Sequence, residues 1–251
     1  MRLAIIGSGS KGNGYLLDNG TEALLIEAGV PFKDVLHALD GHVERLAGCL
    51  ISHEHGDHAG HAGEVLDYAV PTYATSGTIK AMGRGKRGFE PTVMQGQPGS
   101  YRQIAVGNFI VQPFETRHDA AEPAGFLIWH PETGTVLFAT DTYYLPNRYA
   151  GLNNILIECN YDPTTLDRRI EAGELPAALR KRLHESHLSF ETCRQALLAN
   201  DLSEVCRIVL IHISEGNGNP ERFAAGIAAA TGIETIAARS GLTIDFNKTP
   251  F

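Results

Sequence analysis

The segment Ser52-His53-Glu54-His55-Gly56-Asp57-His58 constrains this chain more than any other. It puts His53, His55, Asp57 and His58 directly after the apolar run that starts at Leu46. Imidazole and carboxylate donors together suit zinc, and also manganese or iron. A strand ending in a tight loop can turn His53 and His55 one way and Asp57 and His58 another. Gly56 frees the backbone between the two pairs. That arrangement serves two neighbouring ions better than one. More donors follow later apolar runs: His118 after Pro113-Phe114-Glu115, Asp141 after Thr135-Val136-Leu137-Phe138-Ala139, and His212 after Ile208-Val209-Leu210-Ile211. Sites are usually built where strands end. The alternative is a polar surface loop that carries histidines by chance, and the recurrence of donors at strand ends argues against it.

The rest of the chain has to bring these donors together. With 251 residues, 43% of them hydrophobic, it is long enough for a sizeable core and too apolar for disorder. It shows no repeat, low-complexity tract or long linker, so a single domain over 1–251 is expected. No apolar run approaches the roughly 20 residues that span a bilayer. The start, Met1 to Ile6, turns at once into Gly and Ser and lacks the long apolar core of a secretory signal. A cytoplasmic protein is therefore expected, with no membrane partner. A net charge of −8 argues against a coat of positive charge for non-specific nucleic-acid binding, but leaves room for a local basic groove. Cys49, Cys159, Cys193 and Cys206 form no C-x-x-C pair and read as buried free thiols.

The pattern predicts strands over 2–7, 14–18 and 22–27, with the Asn19-Gly20 turn between the last two. Helices are expected over 31–39, 61–69 and 76–82, with a strand over 46–52 and an extended stretch over 71–75. Strands follow over 103–106, 108–114, 124–130, 135–139 and 153–158. One or two helices fall within 163–184, interrupted near Gly173 and Pro176. A capped helix covers 189–199, a strand 207–213 and an Ala-rich helix 220–230, and a last strand or two closes the chain. Two sheets covered by outer helices accommodate this order.

Gly7-Ser8-Gly9-Ser10-Lys11-Gly12 matches G-x-G-x-x-G after a strand, and Glu27 follows at a plausible distance for a dinucleotide site. The crossover helix has no room, because only Asn13 to Asp18 precede the Asn19-Gly20 turn and a crossover needs roughly 10–12 residues. The stretch reads instead as a glycine-rich loop between antiparallel strands, whose backbone N–H groups could bind an anion.

Taken together, these residues resemble the metallo-β-lactamase fold superfamily. Its H-x-H-x-D-H motif reads here as His53-x-His55-x-Asp57-His58, and its later ligands match His118, Asp141 and His212. The resemblance implies an α/β fold, a four-layer αββα sandwich with the site along one edge. It further implies that His53, His55 and His118 hold one metal, that Asp57, His58 and His212 hold the other, and that Asp141 bridges them. Within the superfamily the chain is similar to the YycJ-like (WalJ-like) branch. That similarity rests on Gly7 to Asn13, Leu25 to Gly29, His184 to Ser189 and His212 to Asn217. Members of that branch are described as 5′→3′ exonucleases on DNA. The chain is also similar to ribonuclease Z, whose H-E-A-T segment is echoed only by the Glu of Glu158-Cys159-Asn160, and whose later histidine matches His187-x-Ser189. It lacks the long insertions of β-CASP nucleases and the ribonuclease Z arm.

The resemblance implies a dinuclear hydrolase of phosphodiesters, a nuclease with DNA favoured, acting on a nucleic acid or nucleotide. The cofactors implied are two divalent ions, Zn2+ or Mn2+, with iron also suited. A hydroxide shared between the ions would attack phosphorus. Asp57 or Asp141 would accept a proton, His187 would protonate the leaving oxygen, and Glu158 would orient His187. The alternative for His187 is a solvated helix-cap histidine. Ser10, Lys11, Asn13 and Ser189 are expected to contact substrate phosphate. The basic stretches Arg84-Gly85-Lys86-Arg87 and Arg180-Lys181-Arg182 could hold a phosphate backbone, or simply be solvated surface. Other substrates on the same metals remain open: small nucleotides, thioesters and lactones. A metal-stabilised binding protein without turnover is the contrasting class.

Overall fold

The computed structural model describes residues 1–83 and 91–249. The basic stretch Arg84 to Arg87 lies outside the described residues. The first strands are β1 (Arg2–Gly7), β2 (Gly14–Asp18), β3 (Ala23–Ile26), β4 (Leu46–Leu50), β5 (Thr72–Ala74) and β6 (Thr92–Val93). The chain continues with β7 (Ile104–Val106), β8 (Phe109–Glu115), β9 (Ala124–His130), β10 (Gly134–Ala139), β11 (Leu152–Glu158), β12 (Arg207–Ile211), β13 (Glu234–Ala237) and β14 (Leu242–Asp245). One sheet runs β14-β1-β2-β3-β4-β5-β6 and the other β13-β12-β11-β10-β9-β8-β7. The helices are α1 (Phe32–Ala38), α2 (Gly56–Ala59), α3 (Ala62–Asp67), α4 (Ser76–Met82), α5 (Pro163–Glu171), α6 (Ala178–His184), α7 (Phe190–Leu198) and α8 (Pro220–Thr231).

Alternation along the strands builds the layers. Leu3, Ile5, Tyr15 and Leu17 of the first sheet meet Phe126, Ile128, Val136 and Phe138 of the second in one buried core. The opposite face of the first sheet, with Leu16, Leu25 and Ile51, packs under Phe32 and Val35 of α1 and Val65 of α3. The outer face of the second sheet, with Leu137, Ile155 and Leu210, packs under Cys193 and Leu197 of α7 and Phe223 and Ile227 of α8. Strands β10, β11 and β12 run parallel and are apolar on both faces, as a sheet covered by helices requires. The result is the αββα sandwich of the metallo-β-lactamase fold.

The expected one or two helices within 163–184 are two, α5 and α6, with Gly173 at a positive φ after the first. The differences from the sequence expectation are local. The expected strand 207–213 stops at Ile211, since His212 turns into the left-handed region at φ 53°. The histidine loop holds a single helical turn, α2, which the spacing did not announce. No helix among the described residues is long and apolar enough to cross a membrane.

Candidate metal centre

The donor residues stand at the ends of strands on one edge of the sandwich. His53 follows β4, His118 follows β8, Asp141 follows β10 and His212 follows β12. Asp141 has φ 42° and His212 φ 53°. Non-glycine residues rarely hold such angles, which cost about 1–3 kcal/mol each unless neighbours enforce them. The kink swings each side chain out of the strand's two-faced alternation and into the gap between the sheets' ends. Asp57 and His58 come from α2, and the single turn presents both toward the same gap.

Seven side chains converge. His55 Nδ1 lies 3.1 Å from His53 Nε2 and 3.2 Å from His118 Nε2. Asp57 Oδ2 lies 3.4 Å from His212 Nε2 and 3.5 Å from His58 Nε2. Asp141 faces both groups. Its Oδ2 is 3.5 Å from His118 Nε2, and its Oδ1 is 3.4 Å from His58 Nε2 and 3.3 Å from His212 Nδ1. Donors bound about 2.0–2.1 Å from a tetrahedral cation stand roughly 3.3 Å apart. The spacing in both triads suits such an ion, and the His/Asp clusters could therefore hold metal. His58 Nδ1 is buried without a hydrogen-bond partner, as is Glu27 Oε1. These atoms face each other on the far side of the His58 ring from the donors, with Glu27 Oε2 3.5 Å from His58 Nδ1, so the fit to a cation rests on the donor spacing itself.

Charge is distributed unevenly over the seven. Burial and the neighbouring His58 hold His53 well below the ordinary imidazole value. Burial also lowers His118, against the pull of Asp141. Burial opposes the proton on His58 too, but Asp141 and Glu27 overcome it and raise its pKa. His212 is likewise buried, yet Asp141, Asp57 and Glu158 push it up to about 10. Burial works against the Asp57 carboxylate, and its contacts with His212 and His58 outweigh that and hold it below the usual range. Asp141 is held well below that range by His212 and His58 despite its burial.

Glu158 and His187 stand beside this cluster, and His187 lines its pocket. His187 Nδ1 is 2.6 Å from Glu158 Oε1, and that oxygen is also 3.1 Å from His212 Nδ1. The second oxygen accepts the backbone N–H of Thr142 and of Leu188. A completely buried carboxylate is thus satisfied on both oxygens. The contact with Glu158 raises His187 against its burial.

Glu27 was missed as part of the site. It is fully buried with φ 71°, and its Oε2 lies 3.5 Å from His58 Nδ1. Carboxylates behind ligating histidines fix ring orientation and basicity. The available signal was an acidic residue ending an apolar strand, at Leu25-Ile26-Glu27.

The phosphate-contact expectations need correcting at two positions. Asn13 is fully buried, and its side-chain N–H groups face Asp57 O at 3.0 Å and His58 Nε2 at 3.1 Å. Its Oδ1 accepts from Gly9 N and Tyr15 Oη. It is engaged on all sides and clasps the α2 loop instead of a ligand. Its backbone N–H is bound to Asp57 O as well, so the glycine-rich loop does not offer it to an anion. Gly29 makes this junction possible, because a Cβ there would stand 1.8 Å from Asp57 O. Ser189 is buried, and its hydroxyl caps α7 by accepting from Thr192 N. Of the other two, Ser10 lines the pocket over the donors, while exposed Lys11 pairs with Glu215 at 2.7 Å.

That pocket measures about 210 Å³ and is walled by His55, Asp57, His118, Arg182, His187 and His212, among others. A larger cavity of about 530 Å³ lies between α1, β1 and β14 and, among the described residues, holds no donor cluster. The chemistry marks the smaller one as the site.

Fold and donor set together define a metal-dependent hydrolase. Residues 22–213 match the family model described as the beta-lactamase superfamily domain, and the chain belongs to that family. It is 29% identical over 259 residues to the exodeoxyribonuclease WalJ of Streptococcus pneumoniae serotype 2 (strain D39 / NCTC 7466), covering 98% of this chain and 92% of the relative. It is 27% identical over 231 residues to the exodeoxyribonuclease YycJ of Bacillus anthracis, covering 88% and 85%. Among solved structures it is similar to the metallo-beta-lactamase fold protein YhfI of Bacillus subtilis, with a TM-score of 0.71 at 18% identity over 97% of this chain and 99% of that one.

Proposed function

We propose that this protein is a dinuclear phosphodiesterase, an exonuclease-like enzyme of the cytoplasm that degrades nucleic acid, with DNA favoured and 5′→3′ polarity. One domain over 1–251 carries the activity. His53, His55 and His118 would hold one ion, and Asp57, His58 and His212 the other, with Asp141 facing both. Zinc or manganese suits these nitrogen and oxygen donors, and iron does also. Bound there, two divalent ions supply an activated water at neutral pH and offset the charge of a phosphodiester.

The side chains around the donors complete the machinery. His187 keeps Nδ1 on Glu158, so its Nε2 is left to give a proton to the leaving oxygen. Glu158 fixes that ring and stabilises its charged form. Arg182 lines the same pocket, and among the described residues its guanidinium has no ion pair or hydrogen bond. Its neighbours are neutralised, Arg180 by Asp167 at 2.7 Å and Lys181 near Glu185 at 3.9 Å. Arg182 is the cation of that stretch left to meet a substrate phosphate.

The observation that carries the reading is a small polar pocket joining two donor clusters, a carboxylate-backed histidine and an unpaired arginine. The relatives named exodeoxyribonucleases support it. The test is turnover of bis(p-nitrophenyl) phosphate and of end-labelled single-stranded DNA by protein loaded with zinc, manganese or magnesium. His58→Ala should abolish both activities. No cleavage with any of the three metals, together with turnover on a thioester or lactone panel, would overturn the proposal.

A further inference from the structure

A second cleft opens beside the metal centre, between the loop after Asp141 and the face of α7. It measures about 240 Å³, and Tyr143, Tyr144, Pro146, Arg148, Thr192 and Gln195 line it. Tyr143 is 42% and Tyr144 57% exposed, and the two neighbouring rings line the same cleft. Tyr143 lies two residues beyond Asp141, so the two Cα atoms are within about 7 Å.

Hydrogen bonds anchor the loop at both ends. The Thr142 hydroxyl accepts from Arg117 N at 2.9 Å and donates to Tyr144 O at 2.8 Å. Tyr143 N donates to Arg117 O at 3.1 Å. At the far end Tyr149 N donates to Asn200 Oδ1. Glu158 binds the N–H of Leu188, which lines the cleft, and that of Thr142, which immediately precedes the lining residue Tyr143. The carboxylate that positions His187 therefore also sets the cleft's place relative to the pocket. Arg148 at the rim is exposed and, among the described residues, makes no ion pair or hydrogen bond.

We infer that this cleft is a base-stacking subsite of the nuclease proposed above, in which Tyr143 and Tyr144 hold one nucleobase of a single-stranded substrate. Arg148 meets the adjoining phosphate. The inference rests on the phosphodiesterase reading and gives it a substrate class, a strand with unpaired bases. Three observations favour this occupant. The two rings supply π-faces that every base can use. The volume suits one planar base rather than a protein segment. Arg148 on the tyrosine cleft and Arg182 on the donor pocket each offer a phosphate backbone a cation unpaired among the described residues.

The test is fluorescence anisotropy of labelled oligothymidylate with the full-length, metal-loaded protein, alongside kcat and KM for its cleavage. The Y143A/Y144A variant should weaken binding and raise KM by about tenfold or more, with metal content unchanged. The Y143F/Y144F variant should restore both, because the ring and not the hydroxyl carries the contact. Arg148→Ala should flatten the dependence of log affinity on log salt by about 0.7. Thymidine 5′-monophosphate should bind much more weakly than the oligonucleotide. Unchanged binding and KM in Y143A/Y144A overturn the subsite, and mononucleotide binding as tight as the strand's overturns the strand as its occupant. Tyrosine-dependent binding without any cleavage supports the subsite and sinks only the phosphodiesterase reading.

Discussion

The two donor groups share one pocket but differ in what stands behind them. Neutral partners back the group of His53, His55 and His118: Ser52 Oγ lies 2.9 Å from His53 Nδ1, and Ser186 O lies 3.0 Å from His118 Nδ1. Carboxylates back the group of Asp57, His58 and His212, with Glu27 behind His58 and Glu158 behind His212. Burial dominates in the first group and lowers the pKa values of His53 and His118. Charge dominates in the second and raises those of His58 and His212. His53 and His118 thus present neutral imidazoles at neutral pH, the form that binds metal. The second group holds protons where a cation would sit. Similar imidazoles are pushed in opposite directions, downward by burial in His53 and His118 and upward in His58 and His212 by Asp141 first, with Glu27 and Glu158 adding to it.

The residue common to both groups gives the most severe test. Asp141→Asn keeps a side chain that tolerates the left-handed backbone but removes the charge facing His58, His118 and His212. Metal content should fall, and kcat/KM on a phosphodiester should drop by about 1,000-fold, ~4 kcal/mol. A variant that keeps its metal and loses less than tenfold would show that Asp141 joins nothing.

A smaller effect separates the halves. Glu27→Gln leaves the first group untouched and deprives His58 of its negative partner. Affinity for one ion should weaken roughly 10–100-fold while the other ion stays bound. Equilibrium dialysis with metal analysis reads this directly, and equal weakening of both ions would break the contrast.

The mildest prediction concerns protons. His212, raised to about 10, carries its proton through neutral pH in the metal-free protein and must release it to bind an ion there. Affinity at the second group should therefore increase as pH rises toward that value, and the first group should respond less. Calorimetric metal titrations at pH 7 in two buffers of different ionisation heat should show buffer dependence for one binding step only. Two steps with the same dependence would mean that the halves titrate alike.

Much of this was legible from local pattern. Apolar pattern marked β8 to β12 and the outer helices: strands buried on both faces, such as β10 to β12, read as continuous apolar runs, and packing of a helix face imposes a period near 3.6. The H-x-H-x-D-H spacing and the later His118, Asp141 and His212 marked the donors, because strand ends are where the chain turns and side chains become available. Other features were not legible. Asn13 looks from sequence like a loop residue ready for an anion, yet it is enclosed once Gly12, Gly29 and Asp57 meet. Ser189 reads equally as phosphate contact or helix cap, and its bond with Thr192 decides for the cap. Arg180, Lys181 and Arg182 are equivalent as letters, and only the positions of Asp167 and Glu185 single out Arg182.

By itself the sequence determined the kinds of donor atom, the layered α/β architecture and the strand ends that carry them, because residue chemistry and short-range periodicity are properties of neighbours along the chain. Tertiary structure alone decided which donors face one another, that Glu27 stands behind His58, and that Tyr143 and Tyr144 open onto a cleft beside Asp141. These depend on where segments tens to more than a hundred residues apart meet, and on left-handed turns at Glu27, Asp141 and His212 that packing enforces against local preference.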